Sequence, residues 1–127
     1  MSLPSLLAVG AGAALGAWLR WWLGLALNPV FPTLPLGTFA ANLIGGYLIG
    51  IAVAALAHVE ALSPEIRLLI VTGFLGGLTT FSTFSAEATT LLARGQYAWA
   101  GALIAGHVTG SIAMTFAGIA TLRLIVR

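Results

Sequence analysis

Apolar residues fill this chain in four long blocks, and prolines, charges and small polar residues gather at the seams between them. A membrane-spanning helix needs roughly 20 apolar residues, and the blocks place four spans at about residues 3–27, 37–57, 64–93 and 97–125. Asn28-Pro29 and the run from Pro32 to Pro35 stop the first helix, since proline lacks an N–H and clashes with the preceding turn. His58 to Ser63 reads as a short loop. Ser63-Pro64-Glu65 then reads as a helix start, with a serine cap, a proline at the first position and an acid in the first turn. Arg94-Gly95 closes the third span with a cation and a terminal glycine. Together the spans form one four-helix transmembrane domain over residues 1–127. The first block has no charged leader and is long enough to cross, so it reads as an uncleaved span and not a signal peptide.

Inside the blocks the exceptions to plain hydrophobicity have helical spacing. Gly12/Gly16, Gly46/Gly50 and Gly106/Gly110 are small-xxx-small pairs that let helices approach closely. Thr38 and Asn42 lie one turn apart on the second span, and His107, Ser111 and Thr115 form a polar stripe on the fourth. The densest exception is Thr72 to Glu87, TGFLGGLTTFSTFSAE. Gly73, Gly76 and Gly77 weaken the helix there, and breaks are tolerated at membrane depth only where freed backbone groups find partners. After the break Phe81 and Phe84 share one face, while Thr80, Thr83 and Glu87 share the neighbouring one. The expected architecture is an all-α membrane protein whose third helix is broken at this glycine-rich stretch.

Composition agrees. The chain is 60% hydrophobic and 6% charged, with a mean hydropathy of +1.07. No soluble domain of this size hides that much apolar surface. The charge of +2 comes from five dispersed arginines with no lysine, which gives no basic cluster for nucleic acid. With both termini on one side, Arg67, Arg123 and Arg127 oppose Arg94 and Arg20, so the positive-inside bias is nearly nil. Such a chain can insert both ways and pair with an inverted copy of itself.

Candidate chemistry is that of transport. There is no aspartate or cysteine, the glutamates are Glu60, Glu65 and Glu87, and His58 and His107 lie in different segments. No paired-carboxylate, HExxH, GxSxG or P-loop pattern is present, so an enzyme is not expected. The spans instead carry Thr79, Thr80, Ser82, Thr83, Ser85, Ser111, Thr115 and the Asn42 amide as donors. Donors of this kind bind a small anion strongly enough to replace water and weakly enough to release it. Aromatic ring edges are electropositive, so Phe81 and Phe84 either offer C–H edges to an anion or simply pack. Asn42 is either an anion donor or an interhelical hydrogen bond. Arg20, among Trp18, Trp21 and Trp22, is either an interfacial anchor or a charge at a pore mouth. Carbonyls freed over Gly76–Thr79 either hold a cation or belong to a tight glycine crossing. Glu87 must face protein or water, or snorkel, because a bilayer-centre acid costs roughly 3 kcal/mol.

The run GFLGGLTTFSTFSAE, preceded by GTFAANLIGGYLIG in the second span, resembles the Fluc/CrcB family of bacterial fluoride channels, and the resemblance covers the whole chain. It implies an antiparallel, dual-topology homodimer in the bacterial inner membrane with two pores at its interface. It implies passive, fluoride-selective export that limits fluoride toxicity. The implied fluoride pathway comprises Asn42, Phe81, Phe84, Thr80, Ser82, Thr83, Ser111 and Glu87, with Arg20 at the pore mouth. A structural, untransported sodium ion is implied on the backbone carbonyls of Gly76 and Thr79. This chain departs from some relatives in having Leu103 and His107 where those carry tyrosine and serine. His107 would then replace the serine as a donor, and its protonation would make conduction pH-dependent. Two rivals remain on the residues alone. One is a proton-coupled transporter, either a small four-span exporter, which would need an acid that the first span lacks, or a fluoride exporter using Glu87. The other is a non-transporting membrane scaffold built on the glycine faces.

Overall fold

The computed structural model describes residues 1–57 and 62–126, and all regular structure among them is helical. His58, Glu60 and Arg127, singled out above, lie outside the described residues. Helix α1 covers Leu3–Leu27 and runs through a short 3-10 turn, Asn28–Val30; α2 covers Leu36–Leu56. The third segment starts as α3, Pro64–Arg67, widens into a π-helical stretch, Leu68–Leu75, and tightens again in α4, Gly76–Leu78. Thr79 (φ −82°, ψ 152°) and Thr80 (φ −150°, ψ 116°) are extended, and α5, Phe81–Ala93, follows. Helix α6 covers Tyr97–Ile125. Four segments, 3–30, 36–56, 64–93 and 97–125, are long and apolar enough to cross a membrane.

Local chemistry sets these ends. The Ser63 hydroxyl accepts the Ile66 N–H at 3.3 Å, capping α3 ahead of Pro64. Gly95 adopts φ +72°, which a side chain would resist. It lets the Gly95 N–H reach the Leu92 carbonyl (3.0 Å) and the Gln96 N–H reach Leu91 (2.9 Å), which ends α5 and turns the chain into α6. Between α1 and α2, the Asn28 carboxamide oxygen accepts the Gly37 N–H at 2.8 Å and closes the proline loop.

Helices meet through glycine. At Gly16 an added methyl would overlap the Phe74 carbonyl, so α1 lies directly on the backbone of the third segment. At Gly50 it would overlap the Thr115 carbonyl, and α2 lies against α6 in the same way. Thr115 Oγ1 strengthens that seam by donating to the Gly46 carbonyl at 3.0 Å, and Tyr47 donates to Thr121 at 3.1 Å. The third glycine seam differs from expectation. Gly106 and Gly110 face the side chains of Phe39 and Leu43, whereas the α6 glycine that meets α2 backbone directly is Gly118, against Tyr47.

Among the described residues the buried apolar clusters are small: Leu23, Ala41 and Leu78 between α1, α2 and α4, and Phe84, Ala88, Leu91, Ala100 and Leu103 between α5 and α6. Many large apolar side chains point outward instead, including Leu7, Leu15, Val53, Ile112 and Phe116. The hydrocarbon interior of a bilayer is the solvent that suits such a surface. This is a multi-pass membrane protein.

Candidate functional site

The site is built around two extended residues, because extended backbone inside an apolar helical body leaves polar groups that need partners. The Thr79 N–H and hydroxyl both return to the Leu75 carbonyl, at 3.0 and 2.8 Å. Thr80 is served by Asn42 from α2, whose Oδ1 accepts the Thr80 N–H at 2.7 Å while its Nδ2 donates to the Thr80 carbonyl at 3.0 Å. One carboxamide thus replaces the two backbone bonds that a continuous helix would have given Thr80. The Thr80 hydroxyl accepts the Thr83 N–H at 3.1 Å, capping α5, and donates to the Thr83 hydroxyl at 3.0 Å.

A further carbonyl is met from α1. Arg20 Nε donates to the Gly77 carbonyl at 3.0 Å. Its three neighbouring indoles are exposed, as membrane-interface tryptophans are, but the guanidinium turns inward. Neither reading available from the residues, anchor or pore-mouth charge, contained this bond.

The two phenylalanines share a face with their rings edge-to-face at 5.4 Å, but their surroundings differ. Phe84 is 8% exposed and lies against the His107 ring at 4.7 Å; Phe81 is 79% exposed. His107, 4% exposed, is also met edge-on by Phe39 at 5.2 Å, and its Nδ1 lies 3.2 Å from Asn42 Nδ2. Glu87 is held from α2: the Thr38 hydroxyl donates to its Oε1 at 2.6 Å, while its buried Oε2 has no protein partner among the described residues.

These residues border three neighbouring spaces. A broad groove of about 560 Å³ runs along Asn42, Thr79, Thr80, Phe81, Phe84, His107 and Ser111. Thr80 also borders a cavity of about 310 Å³ that contains Arg20 and Thr38. Thr83 borders that cavity and a third, of about 360 Å³, containing Glu87 and Arg94. Thr80 and Thr83 are therefore each shared between two neighbouring spaces. Ser82 lies beside Thr80, their hydroxyl oxygens 3.3 Å apart, and is exposed.

The groove also receives backbone. Gly76 is exposed and lines it together with Thr79, and no donor among the described residues meets the carbonyl of either. Unpaired carbonyls are hard oxygen ligands of the kind that alkali cations take. Among the described residues no three His, Asp or Glu side chains gather as metal ligands.

Several contributors carried no sequence signal as site residues. Phe39 walls His107, and Gly45 accommodates the Thr79 methyl against α2.

A family model described as CrcB-like protein, Camphor Resistance (CrcB), matches residues 7–119. Among similar proteins, one from Nitrosospira multiformis is 66% identical over 97% of this chain and 96% of its own length. One from Tolumonas auensis is 61% identical over 98% of both chains, and one from Pseudomonas putida is 60% identical over 94% of both. All three carry the name fluoride-specific ion channel FluC. A match over this much of the chain means that the protein belongs to the CrcB-like family.

Proposed function

We propose that this protein is a fluoride-selective channel of the bacterial inner membrane, which lets fluoride leave the cytoplasm down its gradient and so limits its toxicity. The observation that carries the reading is near-full-length identity of about two thirds to a protein named for that activity. The geometry supports it. Hydroxyls at Thr80, Thr83 and Ser111 and the phenylalanine pair line neighbouring spaces, and the broad groove among them is lined by no lysine or arginine. Fluoride is small and strongly hydrated, so closely spaced donors in a narrow passage favour it over chloride.

One copy leaves the pathway open. Phe81, Gly76 and the polar wall of the groove face outward, and unpaired backbone does not face lipid. A second copy is the natural cover, and the near-absence of charge bias allows it to insert in the inverted orientation. In that antiparallel dimer the third helix acts as a broken helix, with the interruption at Thr79 and Thr80 presented to its twin. The Gly76 and Thr79 carbonyls fit a sodium ion there, held in place and not transported. The ion would neutralise facing carbonyl dipoles at the interface. Arg20 carries positive charge at the mouth cavity, and Glu87 with Thr38 lines the way beyond.

The test is efflux from liposomes loaded with fluoride, with chloride efflux run alongside. Fast fluoride release without chloride release, lost in Phe81→Ile, supports the channel and its ring pair. Fluoride movement that requires a proton gradient would replace the channel with an exchanger. No release of either ion from folded protein would leave a scaffold.

A further inference from the structure

The hydrogen bonds around Thr80 determine the state of a ring that none of them touches directly. Asn42 Oδ1 must face the Thr80 N–H, because an N–H can only donate. That choice turns Nδ2 toward the Thr80 carbonyl, which can only accept, and toward His107 Nδ1 at 3.2 Å. An amide nitrogen cannot accept, so Nδ1 must be the bare nitrogen of a neutral imidazole and the ring proton must sit on Nε2. The backbone dictates the amide, and the amide dictates the tautomer. His107 is buried between Phe39 and Phe84, so the ring cannot swing away to find another partner.

We infer that His107 is a positioning residue, held as the Nε2–H tautomer, whose bare Nδ1 locks the Asn42 carboxamide onto Thr80. With Nδ1 in place both amide protons of Asn42 are used, and the amide has no reason to rotate. The lock also orients Phe84, whose ring lies 4.7 Å from the imidazole at a 33° tilt. Buried Nε2–H then has no acceptor among the described residues, so one ring proton stays unmatched in this copy. The functional consequence rests on the conduction reading above; the tautomer does not.

The test is ¹⁵N NMR of histidine-labelled full-length protein in lipid bilayers, with His107→Asn used to separate the His107 signals from those of His58. At neutral pH the expected spectrum has a protonated Nε2, a bare Nδ1, and magnetisation transfer from the Asn42 amide protons to Nδ1. Asn42→Asp still accepts from the Thr80 N–H but has no proton for His107, so the proton is expected to move to Nδ1. A wild-type ring protonated at Nδ1, or an Asn42→Asp spectrum identical to wild type, overturns the inference whether or not the protein conducts. Fluoride efflux supplies the second arm. His107→Phe keeps the ring and loses the acceptor, and efflux is expected to fall about tenfold, the effect of one unmatched buried group. His107→Asn can present its carbonyl oxygen where Nδ1 stood and is expected to restore most of the rate. Equal loss in both variants would overturn the positioning role while leaving the channel reading intact.

Discussion

Replacing Arg20 separates two physical roles that one residue combines. Arg20→Met keeps the length of the side chain and removes both the charge and the Nε donor. The bond to the Gly77 carbonyl is charge-assisted, and such bonds contribute about 1.5–3 kcal/mol. Its loss in Arg20→Met is expected to lower the melting temperature. The local effect is more specific. A Gly77 carbonyl left without its donor costs about 1–3 kcal/mol, and it lies three residues from Thr80. At about 1.4 kcal/mol per tenfold, opening of this stretch should become about tenfold to a hundredfold more frequent. Amide hydrogen exchange over residues 76–83 in reconstituted protein reads that directly, with α6 as the internal reference. Arg20→Lys restores the charge, but its single ammonium lies beyond the Nε position, so it should recover little of the exchange protection. Unchanged exchange in Arg20→Met, together with slowed fluoride efflux that Arg20→Lys restores, would refute the capping argument and leave Arg20 as a pore-mouth charge.

Other perturbations test other parts of the structure. Gly50→Val places a side chain against the Thr115 carbonyl, where backbone cannot give way, and should reduce folded yield in detergent; Gly10→Ala, with nothing near its Cβ, should leave the yield unchanged or raise it. Thr38→Val removes the donor to Glu87 and should destabilise the protein by about 1.5–3 kcal/mol in a reversible unfolding assay, whereas Thr38→Ser should not. If sodium sits on the Gly76 and Thr79 carbonyls, the melting temperature should rise with sodium concentration and not with a large organic cation. A flat response would remove sodium from the proposal.

Four apolar helices were legible from the chain because the bilayer imposes a length, and a run of some 20 apolar residues answers it without reference to other segments. The caps were legible for the same local reason: Ser63, Pro64 and Gly95 act within a turn of themselves. The close-packing glycines could be found by spacing but not paired, since Gly118 carries the seam that Gly106 and Gly110 suggested. Periodicity likewise put Thr38 and Asn42 on one face and His107 in line with Ser111, but a face has no address. Only the tertiary structure decided that Asn42 meets Thr80 across 38 residues, Arg20 meets Gly77 across 57, and His107 meets Asn42 across 65. Each of those contacts depends on how two helices are rotated and offset against each other. That is set by glycine contacts summed along whole helices, so the helices could be read one at a time but the site could not.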